Sequence, residues 1–478
     1  MTPGRVPVWP LLPPSVYVRQ PSKPLPFAHL VPAYHCGTEV KALVQAACHD
    51  FYEVWESLEA NQGELDSRVA DDVSMDAFPG ERLPRFRFTA CVSRAERRFG
   101  HSQLLAPAYH RVEAITRPIH DTPAGRRADL QLERIDSFEA IHPEWMGLAE
   151  ASDNVFATWE WNSIWWKHFG QGRTLLAYAC RDADGRLLAV LPLYLWAKRP
   201  LRVIRFVGHG PADQLAPICR PEDRDATAYA LLGALDESPP GWDILLGEQF
   251  LATEGWRARL GAKVVGTIPF PILRCPSGGW EQFLASRSAH FRKKLRHRER
   301  TLERTHALRY RLADDPLQLQ EDLDLLFRLH DARWSDGSSF TGAREAFHRE
   351  FAAVSQDRGW LRLWFLELDG HPVAAWYGFR FGTAESYYQA GRDPVYDRLS
   401  VGFMLVMQSI RAAFDDGMRE YRFLRGGEAY KYRLANEDPG LEILARSRGA
   451  AGAAVVATGV AAYRVPSLRN AARERLQT

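Results

Sequence analysis

The segment that most restricts the fold runs from Leu361 to Lys431. Its first part, LRLWFLELDGHPVAAWYGFRFGTAESYYQAG, holds three strand-like runs separated by Asp369-Gly370 and Gly382-Thr383. Asp-Gly between alternating runs is a hairpin signal, because both turn residues tolerate positive φ. Three antiparallel strands are therefore expected. Asp393-Pro394 then turns the chain. Phe403, Leu405, Val406, Ile410, Ala413 and Phe414 recur at helical spacing, and Gly417 stands where that helix should stop. Tyr421, Phe423 and Leu424 alternate with arginines as in a strand. Gly426-Gly427-Glu428-Ala429-Tyr430-Lys431 then forms a loop carrying an acid, a phenol and an amine.

The start of the predicted helix, Leu399-Ser400-Val401-Gly402-Phe403, suits an anion. Ser400 is a good N-cap, Gly402 admits a ligand close to the backbone, and first-turn N–H groups attract phosphate. An ordinary capped helix on a sheet accounts for the same residues.

The order of these parts, with His330-x-x-Arg333-Trp334, Asp369-Gly370-x-Pro372-Val373-Ala374, Gly391-x-Asp393-Pro394, Leu399-Ser400-x-Gly402 and Gly427-Glu428-x-Tyr430-Lys431, resembles the GNAT acyltransferase superfamily. More narrowly it resembles the CelD/BcsL-type acetyltransferases, relatives of the FemAB aminoacyl transferases. The resemblance covers residues 130–450. It implies direct attack of an acceptor on a thioester in a ternary complex. A strand around Tyr387–Ala390, with Gln389 and Ala390, would pair with the pantetheine arm of acetyl-CoA or another acyl-CoA. Leu399, Ser400, Val401, Gly402 and Phe403 would cradle the pyrophosphate. The usual signature there is a glutamine or arginine followed by a glycine-rich turn; here one glycine, Gly402, stands with Ser400. Some tandem relatives take their acyl group from aminoacyl-tRNA, so the donor stays open between the two.

At 478 residues the chain has room for two or three domains. A net charge of +2 sets up no global field toward nucleic acid or membrane. The cysteines (Cys36, Cys48, Cys91, Cys180, Cys219 and Cys275) show no C-x-x-C spacing, so neither a zinc site nor a disulfide framework is indicated. No metal is expected. No run reaches the length of a membrane helix, and no secretory leader is read at the start, which points to a cytoplasmic protein. Nearly half of the 30 prolines precede Leu130. Residues 1–129 are read as a poorly ordered Pro/Arg-rich extension, with one amphipathic helix over Lys41–Leu58; a small accessory domain is the alternative.

From Leu130 onward the chain repeats itself. Asp184-Gly185-Arg-Leu-Leu-Ala matches Asp369-Gly370-His-Pro-Val-Ala, and the run Trp242 to Glu248 matches Tyr421 to Glu428, at offsets of 185 and 180 residues. The expected fold class is α/β (α+β): two tandem GNAT-like domains, each a mixed, largely antiparallel sheet flanked by helices. The first, 130–282, would shape the acceptor side. The second, 283–450, would carry the acyl-CoA site; residues 451–478 add an Ala-rich helix and a basic tail. The first half has Gly208-His209-Gly210-Pro-Ala-Asp213 where the second has Leu399–Gly402. Residues 283–304 should form one helix, cationic except for Phe291, Leu295 and Leu302. That helix is either a solvated connector or a wall for phosphates or an anionic acceptor.

Acyl transfer needs a proton taken from the acceptor, a stabilised carbonyl oxygen and a proton given to the leaving thiolate. Glu428 is the candidate base and His330 its alternative. Tyr430 would protonate the thiolate, and Lys431 would neutralise the oxyanion or a phosphate. Arg333 and Trp334 would anchor an anionic acceptor, and Asp213 would orient its amine or hydroxyl. Each has a structural alternative: an ion pair for Glu428 and Lys431, packing for Tyr430 and His330. No H-E-x-x-H, G-x-S-x-G or P-loop pattern occurs. The expected partner is a small-molecule or saccharide acceptor, with weak association to a membrane surface or exopolysaccharide machinery and no DNA. A FemAB-type transferase using aminoacyl-tRNA, and a catalytically degenerate binding or assembly protein, are the rival readings.

Overall fold

The computed structural model describes residues 130–198, 201–237, 241–333 and 340–464, all within the unit Trp55–Thr478. The Lys41–Leu58 helix, Trp334 and the basic tail beyond Arg464 lie outside the described residues.

The first sheet opens with β1 (Gln131–Ile135), β2 (Thr174–Arg181), β3 (Leu187–Lys198) and β4 (Leu201–Phe206), each antiparallel to the next. A short β5 (Ile218–Cys219) pairs with β3. β4 then runs parallel to β6 (Ile244–Leu251), and β7 (Lys263–Ile268) lies toward the far edge. The second sheet repeats the scheme. β9 (Leu308–Leu312), β10 (Leu361–Leu368), β11 (His371–Phe381) and β12 (Ala384–Arg392) are antiparallel, and β12 runs parallel to β13 (Glu420–Arg422). The same sequence of pairings in both sheets is what a duplicated unit produces.

The sheets also trade strands. β8 (Ile272–Arg274) follows the first-sheet strands in sequence yet pairs with β13 at the edge of the second sheet. β14 (Leu441–Ser447) returns to the first sheet and inserts between β6 and β7. Sequence segments 130–282 and 283–450 therefore each complete the other's sheet.

Helices cover both sheets: α1 (His142–Glu150), α2 (Trp159–Phe169), α3 (Arg224–Glu237), α4 (Gly279–Ser286), α5 (Ala289–Thr305), α6 (Leu319–Arg333), α7 (Gly342–Asp357), α8 (Val401–Asp415), α9 (Ala429–Tyr432) and α10 (Gly449–Arg464). One core runs through both halves. Trp161 of α2 is fully buried, with Phe347 and Phe351 of α7 at ring distances of 4.9 and 4.7 Å. Burying a ring of this size removes about 200 Å² of surface, on the order of 5 kcal/mol at about 25 cal/mol per Å².

Several local expectations change. The single helix over 283–304 is two, α4 and α5, because Ser288 is extended and its hydroxyl caps the Phe291 amide at 3.1 Å. Ser400 sits at the N-cap position of α8, but with φ 59° and ψ 37° and no side-chain cap bond. The expected strand through Leu424 stops at Arg422, since Leu424 turns to φ 56° and Gly426 to φ 116°. Gly417, at φ 73°, does end α8: its N–H meets Phe414 O, and Met418 N meets Ala413 O. The two Asp-Gly hairpins differ in type. Asp369 and Gly370 both take positive φ (53° and 82°), whereas at Ala183-Asp184-Gly185 only Gly185 does (81°), closed by Asp182 N to Arg186 O.

Candidate functional site

β12 and β13 are in parallel register only from Ala384, Glu385 and Ser386 to Glu420, Tyr421 and Arg422. β12 then continues to Arg392 while the other chain bends away through Leu424 and Gly426. Beyond Ser386, β12 has no strand partner on that side among the described residues. Gln389 and Ala390 lie on this stretch. Gly391 lets α6 press against it: a Cβ there would collide with the backbone of Leu329 and His330. Arg333, at the end of α6, donates to the Ala390 carbonyl at 3.2 Å. Sequence reasoning gave Arg333 to the acceptor; the structure gives it at least this backbone partner.

At the head of α8, the first helical bond is Met404 N to Ser400 O at 3.0 Å, so the Val401, Gly402 and Phe403 amides belong to the turn that precedes it. Val401 is buried. A Cβ on Gly402 would meet only the Arg392 side chain, at an ordinary 3.4 Å. Phe403 lies 6.1 Å from the Phe291 ring, with the Arg298 guanidinium 5.3 Å from its own. The cationic helix α5 thus flanks this turn. Leu399 closes a 3₁₀ turn, Pro394–Leu399, which Asp393 caps through the Val395 amide.

Past the bend, Glu428, Tyr430 and Lys431 come together. Lys431 is 4% exposed; its Nζ lies 2.9 Å from Glu428 Oε2 and donates to the Arg425 carbonyl at 2.8 Å. Burial pushes its ammonium below the usual lysine range, although Glu428 pulls the other way. The Glu428 side chain is 51% exposed, so the pair is half in solvent. Burial, and then the neighbouring Tyr387 hydroxyl, holds the Tyr430 phenol protonated far above its ordinary range. A base, a cation and an acid thus occupy one turn at the point where the strands part.

His330 stands apart from that turn. It is buried, its Nδ1 3.6 Å from Asp331, beside Gln389 and with Phe340 at 4.9 Å. Burial lowers its pKa against the pull of Asp331, which favours the neutral imidazole. Asp213, expected to orient an acceptor, meets Arg425: Oδ1 is 2.5 Å from Nε. Burial pushes the Asp213 carboxyl up against the pull of Arg425 and Lys431.

The structure adds residues that sequence reasoning missed. Tyr388 donates to Pro211 O at 2.8 Å and lies 3.3 Å from His348 Nε2. His348 is fully enclosed, and burial holds it well below the usual histidine range. In sequence it falls between Phe347 and Phe351 on a helix and reads as core. In the first sheet, Glu248 bridges Arg205 (3.3 Å) and His209 (2.9 Å). Burial alone would raise its carboxyl, but Arg205 and His209 hold it down at about 2.

Residues 289–432 match the family model described as an acetyltransferase (GNAT) domain. That span contains β9–β13, the head of α8 and the Glu428–Lys431 turn. No curated protein matches the chain. Among solved structures it is similar to FemX, at 11% identity and TM-score 0.47 over 66% of this chain and 97% of that one. The C-terminal domain of a putative lysylphosphatidylglycerol synthetase from Agrobacterium fabrum gives 11% and 0.44 over 68% and 97%. A tandem GNAT protein from the clavulanic acid biosynthesis pathway gives 12% and 0.38 over 67% and 99%. At these levels the likenesses carry no functional conclusion. No helix among the described residues is long and apolar enough to cross a membrane.

Proposed function

We propose that the protein is a cytoplasmic acyltransferase that moves an acetyl or other acyl group from acyl-coenzyme A to an amine or hydroxyl of a small molecule or saccharide precursor. One observation carries the reading. Beyond Ser386 the β12 backbone, paired with β11 on one side, has no strand partner on its other side among the described residues, and it runs there beside the first turn of α8 and the Glu428–Lys431 turn. An extended amide arm pairs with such an edge, and a pyrophosphate suits first-turn amides next to a small residue such as Gly402. The thioester supplies an activated carbonyl and a thiolate leaving group. Glu428 takes the acceptor proton from its solvent-facing side. Lys431 places positive charge where the carbonyl oxygen becomes negative. Tyr430, held protonated, gives the proton to the departing sulfur. Arg298 and its neighbours on α5 hold outer phosphates. The CelD/BcsL-type branch, and with it an exopolysaccharide acceptor, is the finer form of this proposal.

Helix α5 also supports a second reading, a donor delivered on tRNA. Lys293, Lys294, Arg296, Arg300 and Arg304 are all exposed on it. Thermal-shift titration of the full-length chain separates the two. Acetyl-CoA at about a hundred times its dissociation constant stabilises a binding protein by about 2.7 kcal/mol. The expected result is a saturable shift with acetyl-CoA and coenzyme A that Gly402→Leu removes while the unliganded melting temperature holds. No shift with any acyl-CoA, together with a shift from tRNA, overturns the proposal in favour of the second reading.

A further inference from the structure

The turn that carries Glu428 and Lys431 is held from the other half of the molecule. Arg425 belongs to the second segment, yet first-segment groups meet all three of its guanidinium nitrogens. Nε meets Asp213 Oδ1 at 2.5 Å, and Nη2 donates to the Gly210 carbonyl at 3.0 Å. Nη1 donates to Gln249 Oε1 at 2.8 Å with the amide in the orientation that also lets Gln249 donate to Ala212 O at 2.9 Å. Asp213 and Gln249 are both buried. Gln249 takes φ 59°, a strained backbone for a residue with a side chain, and its own carbonyl accepts from Leu215 N. Two more first-segment carbonyls, Pro271 O and Pro269 O, accept from Phe423 N and Gly426 N. From this clamped residue the path to the candidate chemistry is one peptide long, since the Arg425 carbonyl holds Lys431 Nζ and Lys431 holds Glu428.

We propose that Asp213 and Gln249 are positioning residues: by fixing the Arg425 guanidinium they aim its carbonyl at Lys431, and so set the place of the Lys431–Glu428 pair. This rests on the acyl-transfer reading for its meaning but not for its test. A guanidinium met on all its nitrogens by acceptors has little freedom. The carbonyl it carries is therefore fixed relative to the first sheet. With that anchor removed, the loop from Leu424 to Glu428, already turned through two positive-φ residues, is free to relax. Lys431 Nζ then loses an acceptor and gains water.

The test reads Lys431 directly in the full-length chain. The protein is treated with succinimidyl acetate across a pH series, and the rate at Lys431 is followed by peptide mass spectrometry. The plateau reports access, and the midpoint reports the surroundings of the amine, where Glu428, Asp213 and Arg425 are the facing charges. Asp213→Ala is expected to raise the plateau about tenfold; because the Asp213 charge itself holds the Lys431 pKa up, the midpoint is read in Gln249→Ala, which removes no charge and should move it up toward an ordinary lysine. Asp213→Glu should restore part of the protection. Thr383→Val is the control: Thr383 joins the two segments through Asp153 Oδ2 at 2.8 Å, away from Arg425, and should leave both readings unchanged. If Asp213→Ala lacks native near-ultraviolet dichroism, Gln249→Ala, which removes one of the three contacts, is read for the plateau too. A folded variant whose plateau and midpoint match the parent overturns the proposal, as does an equal response in Thr383→Val. A chain that shows the labelling response but no coenzyme A binding keeps the positioning role and loses the proposed function.

Discussion

The two sheets pose the same problem at the same place and solve it differently. In each, an antiparallel run meets one parallel strand, and the pair diverges after two or three residues. In the first sheet the divergence is bridged by side chains: Arg205 on β4 reaches Glu248 on β6, and His209 closes on the same carboxylate. The Gly208–Asp213 loop follows, and Trp165 donates to the His209 carbonyl at 2.9 Å. In the second sheet a helix start and a polar turn stand beside the divergence. The repeated scheme thus has two divergences; charged side chains bridge one, and beside the other lie a strand edge and the Glu428–Lys431 turn of the proposed site. The bridged copy then serves the other by gripping Arg425.

The largest expected effect comes from forcing the second divergence apart. Gly391→Val drives a side chain into the α6 backbone, and no rotamer avoids it. A loss of about 3–5 kcal/mol in urea denaturation is expected. A loss below 1 kcal/mol would mean that α6 is not seated on β12 as described.

Next in size is the stitch itself. Glu248 titrates at about 2 in the fold against the model-compound value of 4.5. Its depressed pKa means that it stabilises the fold above pH 4.5, and that this is lost as pH falls toward 2. Glu248→Gln should cost on the order of 3 kcal/mol at pH 7 and remove the acid dependence within that window. His209, lowered by burial from 6.5, acts at higher pH: the unfolded chain takes up its proton first, so stability already declines as pH drops below 6.5. A variant that keeps the parent's full acid profile would show that the first divergence is not held by this carboxylate.

The smallest effect tests the repeat. Gly185 and Gly370 sit at φ 81° and 82° with open space where a Cβ would go. Alanine at either should cost about 1 kcal/mol through backbone strain alone. Equal costs in chemical denaturation are expected despite the different turn types; a gap of several-fold would put one hairpin under a constraint the other lacks.

The local signals in this chain are strong, and they determined what depends on neighbours in sequence. Asp369-Gly370 set a hairpin because its φ values suit Asp and Gly. The helical spacing from Phe403 to Phe414, with Gly417, set α8 to within a turn. The run Gly426 to Lys431 announced a polar turn with an acid, a phenol and an amine, and those residues do converge. The register of the repeat was readable because two hairpins share a composition. What sequence could not carry were contacts between residues hundreds of positions apart. Nothing local to Asp213 says that its partner is Arg425, 212 residues on, and the same residue reads equally well as a substrate ligand. The exchange of β8 and β14 between the sheets is likewise invisible, because a short apolar run pairs with any edge that needs it and only the assembled sheets decide which. Sequence determined the parts and one polar turn; the tertiary structure decided which divergence is bridged, because the bridge depends on charges brought together across the fold.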